Sequence, residues 1–442
     1  MQGIDMRHSG WLTRLFGTRE PARELPERES APLLEIAAPE PEQSRLPTFR
    51  KASARTRPRD SQIEAMRSKV RGAFSPSRPI VDSELYSGRT RLLRSLISAV
   101  EDSNMHVIIF GTRGIGKTST LHVLNAMARK ARYIVHYGSC GQNVTFAELF
   151  GAVLSDIPLL FHQDYDPVAS EVEEGLSFAD LYQDEPITVP LLSEAFTRIS
   201  GTQVLVILDE FDRVEDGNVR RLVAELIKNL SDRAAPVQLV IAGVAQNIDE
   251  IVEHIPSIRR NILPIRVPNM EAAEVRELVG RGADRSGLRF ADEARERIVA
   301  LALGLPYIAS LLAHHASLLA LEARRKTITL ADIDAAVEQA VGEIELRLNP
   351  ALLRLARSAS ESKEGPLLVD LARRSLESGG IFSLSDADEA RALDELSLGR
   401  GLVRRGEGEG AFVEDGLPVY LWMRAALDQS REAPLLKAAV PE

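Results

Sequence analysis

The sequence predicts an α/β fold: a parallel sheet covered by helices on both faces, then a helical unit, then a small unit of helices closed by a hairpin. Three observations carry this expectation. Five short runs, His106–Phe110, Tyr133–Tyr137, Val204–Leu208, Gln238–Val244 and Leu263–Val267, are predominantly apolar, as strands buried on both faces must be. Amphipathic stretches separate them, including Lys117–Lys130, with Leu121, Leu124 and Met127 on one side, and Val219–Leu230. After Val267 the apolar spacing becomes three and four, which predicts helices over Glu271–Ala283, Ala291–Leu303, Leu305–Ala323 and Leu330–Val341. Thr329 or Thr327 offers the last of these an N-cap.

Composition sets the frame around that pattern. The chain has 442 residues, 44% hydrophobic and 27% charged, which fits two or three globular domains and excludes a fibrous chain. No apolar run approaches the ~18–20 residues a membrane helix needs. The N-terminus has no signal-peptide core. Cys140 is the single cysteine, which rules out an internal disulfide framework or a four-thiolate metal site. A soluble, cytoplasmic protein is expected.

The net charge of −10 is unevenly distributed. Residues 1–78 hold 15 basic and 10 acidic side chains together with eight prolines, so the rest of the chain carries −15. Weak periodicity and high proline content predict a disordered leader over 1–78. Its basic run (Arg45, Arg50, Lys51, Arg55, Arg57 and Arg59, with no acid between) is either a solvated arm or a contact for nucleic acid or a partner. Trp11–Phe16 reads as a short docking segment, too short to anchor a membrane alone. The acidic body weighs against broad nonspecific nucleic-acid binding.

The remaining boundaries follow the change of pattern: the sheet-bearing core over 79–268, the helical unit over 269–345 and the last unit over 346–442. Asp156–Val189 interrupts the core with acidic and loop residues and reads as an insertion or flexible connection. In the last unit Leu367–Leu376 and Ala387–Leu398 read as helices. The turn Gly406–Gly410 between Gly401–Arg405 and Ala411–Glu414 reads as a β-hairpin. Helices followed by a hairpin outline a winged helix.

The chemistry is concentrated in two segments. Gly111-Thr112-Arg113-Gly114-Ile115-Gly116-Lys117-Thr118 satisfies G-x-x-x-x-G-K-[ST] between a predicted strand and a predicted helix, the context a phosphate-binding loop requires. Its glycines let backbone N–H groups wrap a phosphate, and the helix N-terminus, with Ser119 next in line, adds favourable field. Lys117 would neutralise the β- and γ-phosphates of ATP and Thr118 would ligate Mg²⁺. The strand Val204–Leu208 then delivers Asp209, suited to hold Mg²⁺, and Glu210, suited to polarise an attacking water.

These residues, with Asp212 and the upstream Tyr86-Ser-Gly88-Arg89, resemble the AAA+ superfamily. More narrowly, they are similar to its origin-recognition-complex-like branch and to related signal-transduction ATPases with a Gly-x-Pro lid motif. Over Ile80–Gly342 the resemblance implies a P-loop ATPase core and a helical lid opened by Gly304-Leu-Pro306-Tyr307. It also implies that Gly88 and Arg89 lie near the adenine, and that Gln246 or Asn247 is a polar sensor. Arg259 or Arg260, after a helix at Ile248–Ile255, would be an arginine finger offered to a neighbouring subunit, hence a nucleotide-dependent homo-oligomer. No arginine stands at the usual lid-sensor position, which favours a signalling ATPase over a replication initiator. His314 and His315, adjacent on a lid helix without a carboxylate cluster, read as packing or surface histidines, and Cys140 as a buried small residue.

The expected function is therefore an ATP-binding, Mg-dependent ATP-hydrolysing switch that transmits nucleotide state through lid and C-terminal domain. The alternative is a DNA-associated ATPase of the loader, transposition-helper or defence type using the winged helix and basic arm; a non-catalytic scaffold fits the intact Lys117, Thr118, Asp209 and Glu210 poorly. Residues 352–442 hold 12 basic and 16 acidic side chains, with Glu407 and Glu409 at the hairpin tip. That charge suits a protein partner better than DNA, although Arg400, Arg404 and Arg405 keep DNA open.

Overall fold

A computed structural model describes residues 58–165, 175–245, 258–385, 387–394, 401–406 and 408–438. The chain enters through a helix, α1 (Pro58–Ala73), and crosses to α2 (Thr90–Glu101). It then alternates β1 (His106–Gly111), α3 (Lys117–Lys130), β2 (Ile134–Ser139), α4 (Phe146–Asp156), a short α5 (Phe178–Leu181), α6 (Val189–Thr197), β3 (Val204–Asp209), α7 (Gly217–Asp232), β4 (Val237–Val244) and β5 (Ile262–Arg266). The five strands form one parallel sheet in the order β2-β3-β4-β1-β5.

The apolar runs are strands because both faces of the sheet are covered. In β3, Leu205 and Ile207 enter the core on one face, and Val204, Val206 and Leu208 the core on the other. This is the two-residue alternation of a strand with no solvent face. Burial of such side chains contributes about 1.5–3 kcal/mol each. Because every strand runs the same way, the loops after β1, β3 and β4 open at one edge, where parallel α/β sheets place their ligands.

The helical unit comprises α8 (Ala272–Ser286), α9 (Asp292–Ala302), α10 (Pro306–Glu322) and α11 (Leu330–Glu345). A two-stranded parallel pair, β6 (Arg289–Phe290) with β7 (Thr327–Ile328), ties it together. Thr329 is the cap of α11: it accepts from the Asp332 backbone while the Asp332 carboxylate accepts from Thr329 N at 2.8 Å. Arg325 clamps that carboxylate with two hydrogen bonds, 2.8 and 2.6 Å.

The last unit runs α12 (Pro350–Ser360), α13 (Gly365–Ser378), β8 (Ile381–Ser383), α14 (Ala387–Asp394), β9 (Val403–Arg405), β10 (Glu409–Phe412) and α15 (Gly416–Ala438). Its antiparallel sheet, ordered β8-β10-β9, follows two helices and frames a third, a winged-helix-like arrangement. Trp422 on α15 donates from Nε1 to Leu301 O at 3.0 Å, fixing this unit to α9. No described helix is long and apolar enough to cross a membrane.

Two expectations need correction. The end of the predicted disordered leader, 58–78, is the helix α1 and its exit. Met66, Val70 and Phe74 recur every four residues, and Val70 and Phe74 are fully buried against the helical unit. Phe74 meets Phe290 edge-on with ring centroids 5.8 Å apart. It occupies a slot that only Gly282 leaves open, since a Cβ there would lie 2.2 Å from the ring. Residues 1–57 lie outside the described residues. Asp156–Val189, read as an insertion or flexible connection, contributes Ile157, Leu159, Phe178 and Val189 to the core behind β3; residues 166–174 lie outside the described residues.

Candidate nucleotide-binding site

The loop between β1 and α3 turns on left-handed glycines. Gly114 has φ 78° and Gly116, the N-cap of α3, φ 96°, values that side-chain-bearing residues rarely adopt. Space demands glycine as well. A Cβ on Gly114 would lie 2.9 Å from the Tyr307 Cβ, and one on Gly116 2.7 Å from Arg89 Nη1 and 3.5 Å from Pro306 Cγ. The structure therefore brings Arg89, the phosphate-loop glycines, Pro306 and Tyr307 to one place, although they span more than 200 residues.

Lys117 is 8% exposed and donates from Nζ to Gly111 O at 2.7 Å and Thr112 O at 3.0 Å. Two of its three N–H groups brace the loop, which leaves one for a phosphate. Burial is the main influence on its ammonium and pulls its pKa down to about 8, against the opposing pull of Asp212, Asp209 and Asp415. Thr118 and Ser119 are partly exposed on the first turn of α3, and Ser119 Oγ accepts from Ile80 N at 3.1 Å.

Gly88 and Arg89 form a left-handed pair, φ 64° and 55°, immediately before α2. Glu274 on α8 locks the turn by accepting from Arg89 N at 2.5 Å. The buried guanidinium donates to Pro268 O at 3.2 Å and backs Gly116. Arg89 thus packs against the phosphate loop at Gly116.

At the end of β3, separated from β1 by β4, Asp209 is 4% exposed and Glu210 adopts a left-handed φ of 55°, the kind of backbone strain that clusters at functional sites. Asp209 Oδ2 accepts from the Tyr137 hydroxyl at 2.8 Å and Oδ1 from Glu210 N at 2.9 Å. The Glu210 carboxylate accepts from Arg213 Nη1 at 2.8 Å and Ser139 Oγ at 3.1 Å. Arg213 is the first cause holding its pKa below the usual carboxylate range. Asp212 caps the end of β4, accepting from Val244 N at 2.8 Å. Burial and then Asp209 raise the Tyr137 phenol, so it remains a donor.

The available donors, the Thr118 hydroxyl and the Asp209 carboxylate, are hard oxygens, the set Mg²⁺ prefers. Cys140, just past β2, is buried, with its thiol pushed up to about 12 mainly by burial and then by Asp209, Asp212 and Glu210. A protonated, enclosed thiol is a poor nucleophile. His314 donates to Phe74 O at 2.9 Å, and His315 pairs with Glu343 at 2.9 Å.

Arg259 and Arg260 are exposed just before β5. The start of β5 pairs with the start of β1, Ile262 opposite His106, so both arginines lie at the sheet edge away from their own phosphate loop. Gln246, Asn247 and the helix expected at Ile248–Ile255 lie outside the described residues. Sequence reasoning misses Tyr137, Ser139, Arg213 and Glu274. The first two leave a faint signal, hydroxyl side chains two apart, one at the end of a predicted strand and one just past it.

A model of the family described as novel STAND NTPase 1 matches residues 79–361. No curated protein matches the chain in sequence. Among solved structures, a single-residue variant of Thermotoga maritima RuvB is similar at 16% identity and TM-score 0.44, over 80% of this chain and 97% of that one. Cdc6p from Pyrobaculum aerophilum gives 15% and 0.42 over 81% and 98%. The Aeropyrum pernix ORC1 protein, in a complex with DNA, gives 17% and 0.40 over 82% and 97%. With the family match spanning well over half its length and its phosphate loop assembled as the sequence requires, the chain belongs to the novel STAND NTPase 1 family.

Proposed function

We propose that this NTPase is an ATP-driven switch: it binds and hydrolyses ATP with Mg²⁺, and passes its nucleotide state through the lid (α8–α11) to a protein partner held by the winged-helix-like unit. The observation that carries this reading is the contact of Pro306 and Tyr307, the first turn of lid helix α10, with Gly116 and Gly114. Because that turn rests on the loop glycines, a shift of the loop on filling would press on the lid.

In this reading the loop N–H groups and Lys117 bind the phosphates, and Thr118 with Asp209 holds Mg²⁺, which when bound offsets charge on the phosphoryl oxygens. Glu210 orients a water and accepts its proton as the water oxygen bonds to the γ-phosphorus. The bond to the β,γ-bridging oxygen breaks, giving ADP and inorganic phosphate. Glu210 must first leave its hydrogen bonds to Ser139 and Arg213.

Arg260, with Arg259 beside it, is the arginine we assign to a neighbouring subunit's phosphates. Its place on the edge remote from its own loop supports action in trans only. Arg260→Ala mixed with Lys117→Ala should regain hydrolysis that neither has alone; no rescue in the mixture would remove the finger.

A protein partner is favoured over DNA by α14, the helix framed by β8 and β9. It carries Asp388, Glu389 and Asp394 against Arg391 alone, and Glu389 also neutralises Arg374. Comparing the ATPase rate with and without duplex DNA tests this: no change is expected, and stimulation would select the DNA-associated reading.

A further inference from the structure

β2 ends at the candidate site with two hydroxyl side chains, Tyr137 and Ser139, on one face of the strand. They serve different carboxylates. Ser139 lies opposite Asp209 in the register yet reaches Glu210, whereas Tyr137, opposite Ile207, reaches Asp209. Among the described residues, the two oxygens of Asp209 each have one protein donor, the Tyr137 hydroxyl and the Glu210 N–H. The N–H comes from the adjacent residue and moves with Asp209. Of these two, the hydroxyl comes from another strand, and so it ties the carboxylate plane to the sheet.

The tyrosine ring is itself held. It stacks face to face on the His122 imidazole, with centroids 4.5 Å apart and planes 11° from parallel. His122 stands on α3, five residues beyond Lys117. One aromatic ring therefore connects the helix that follows the phosphate loop to the carboxylate at the end of β3. A phenylalanine would fill the same space and make the same stack; only the hydroxyl orients Asp209.

We propose that Tyr137 is a positioning residue for the metal-holding carboxylate: its hydroxyl sets the plane of Asp209, and its stack on His122 keeps that plane in register with the phosphate-loop helix. The inference rests on reading Asp209 as the residue that holds Mg²⁺. A purely structural tyrosine, satisfying a buried carboxylate, is the competing account. It places the cost in the stability of the fold rather than in the metal dependence.

The test uses the full chain as wild type, Tyr137→Phe, His122→Ala and Asp209→Asn. ATP binding is measured by titration calorimetry in EDTA and over a Mg²⁺ series, with melting temperature recorded without nucleotide. Tyr137→Phe should leave melting and EDTA affinity unchanged and raise the Mg²⁺ midpoint roughly tenfold, the usual scale for removing an outer support of a metal ligand. His122→Ala should shift the midpoint the same way by less. A wild-type midpoint in Tyr137→Phe beside a raised one in Asp209→Asn overturns the positioning role and leaves the Asp209 reading standing. A wild-type midpoint in both overturns the Asp209 reading as well. A fall in melting temperature and EDTA affinity without a midpoint shift makes Tyr137 structural.

Discussion

On one face of the five-stranded sheet, α4, α6 and α7 close a core drawn entirely from residues between Ile108 and Ile262. On the other, the core that starts beneath α1, α2 and α3 runs without a break through the lid helices into the winged-helix-like unit, as far as Leu427. The first core is self-contained and braces the strands that carry Asp209 and Glu210. The second joins the phosphate loop to everything beyond the sheet. Close-packed interiors transmit displacement poorly across a gap and well across contact, so in the proposed switch the first face would keep the site's shape and the second would carry its state outward.

The sharpest way to separate those roles is to stop turnover without touching either core. Glu210→Gln should retain ATP binding and lose hydrolysis by about 10²–10⁴-fold, the range for a positioned base; a wild-type rate would mean that another group activates the water. A matched pair of core truncations comes next. Phe74 and Phe196 are both fully buried, one in each core, and replacing either with Ala should cost about 3–5 kcal/mol. Only Phe74→Ala should also shrink the gain in melting temperature that ATP confers, because only its core reaches the lid. Equal loss of that gain in both variants would erase the distinction.

The two ends of β1 offer the smaller effects. At its start His106 is buried, accepts from Leu239 N at 3.0 Å, and is held neutral by desolvation, its pKa lowered from 6.5 to about 4. A lowered folded value means the unfolded chain binds the extra proton between those pH values, so stability is fully present above pH 6.5 and drains away toward pH 4, by about 3 kcal/mol in all. Denaturant titrations of wild type against His106→Gln should show that slope only in wild type. Just past the other end, Lys117 carries a pKa near 8, which phosphate binding must raise. ATP affinity should be level below pH 8 and fall by up to about tenfold per unit above it, with proton uptake visible in calorimetry. Affinity independent of pH from 7 to 9 would contradict the burial seen for Lys117.

What is legible in the sequence follows from distance along the chain. The strands announce themselves as runs, and Lys117, Thr118, Asp209 and Glu210 by fixed spacing next to those runs, since backbone geometry alone ties each to its strand end. Helix α1 is hidden because its apolar stripe is one residue wide and its partners, Gly282 and Phe290, lie some 200 positions away. Tyr137 is hidden for the same reason: its meaning depends on a carboxylate 72 residues later. The family resemblance implies Arg89 near the adenine; its setting against Gly116, Pro268 and Glu274 is invisible in the sequence because those partners lie 27 to 185 positions away.

One side chain at the exit of β5 touches both the lid and the last unit. The Asn269 amide nitrogen, with two hydrogens to give, lies 2.9 Å from Leu303 O of the lid, 2.8 Å from Leu376 O and 3.4 Å from Glu377 O at the end of α13. Beside it Arg266 donates to Ser378 O at 2.6 Å. A contact stretched to about 3.6 Å is no longer a hydrogen bond, so a slide of α13 by about 1 Å would break the bonds to Leu376 O, Glu377 O and Ser378 O together and leave the one to Leu303 O. Such a fastening holds or lets go. A displacement of that size would release the last unit and leave the Asn269 amide still holding the lid to the exit of β5.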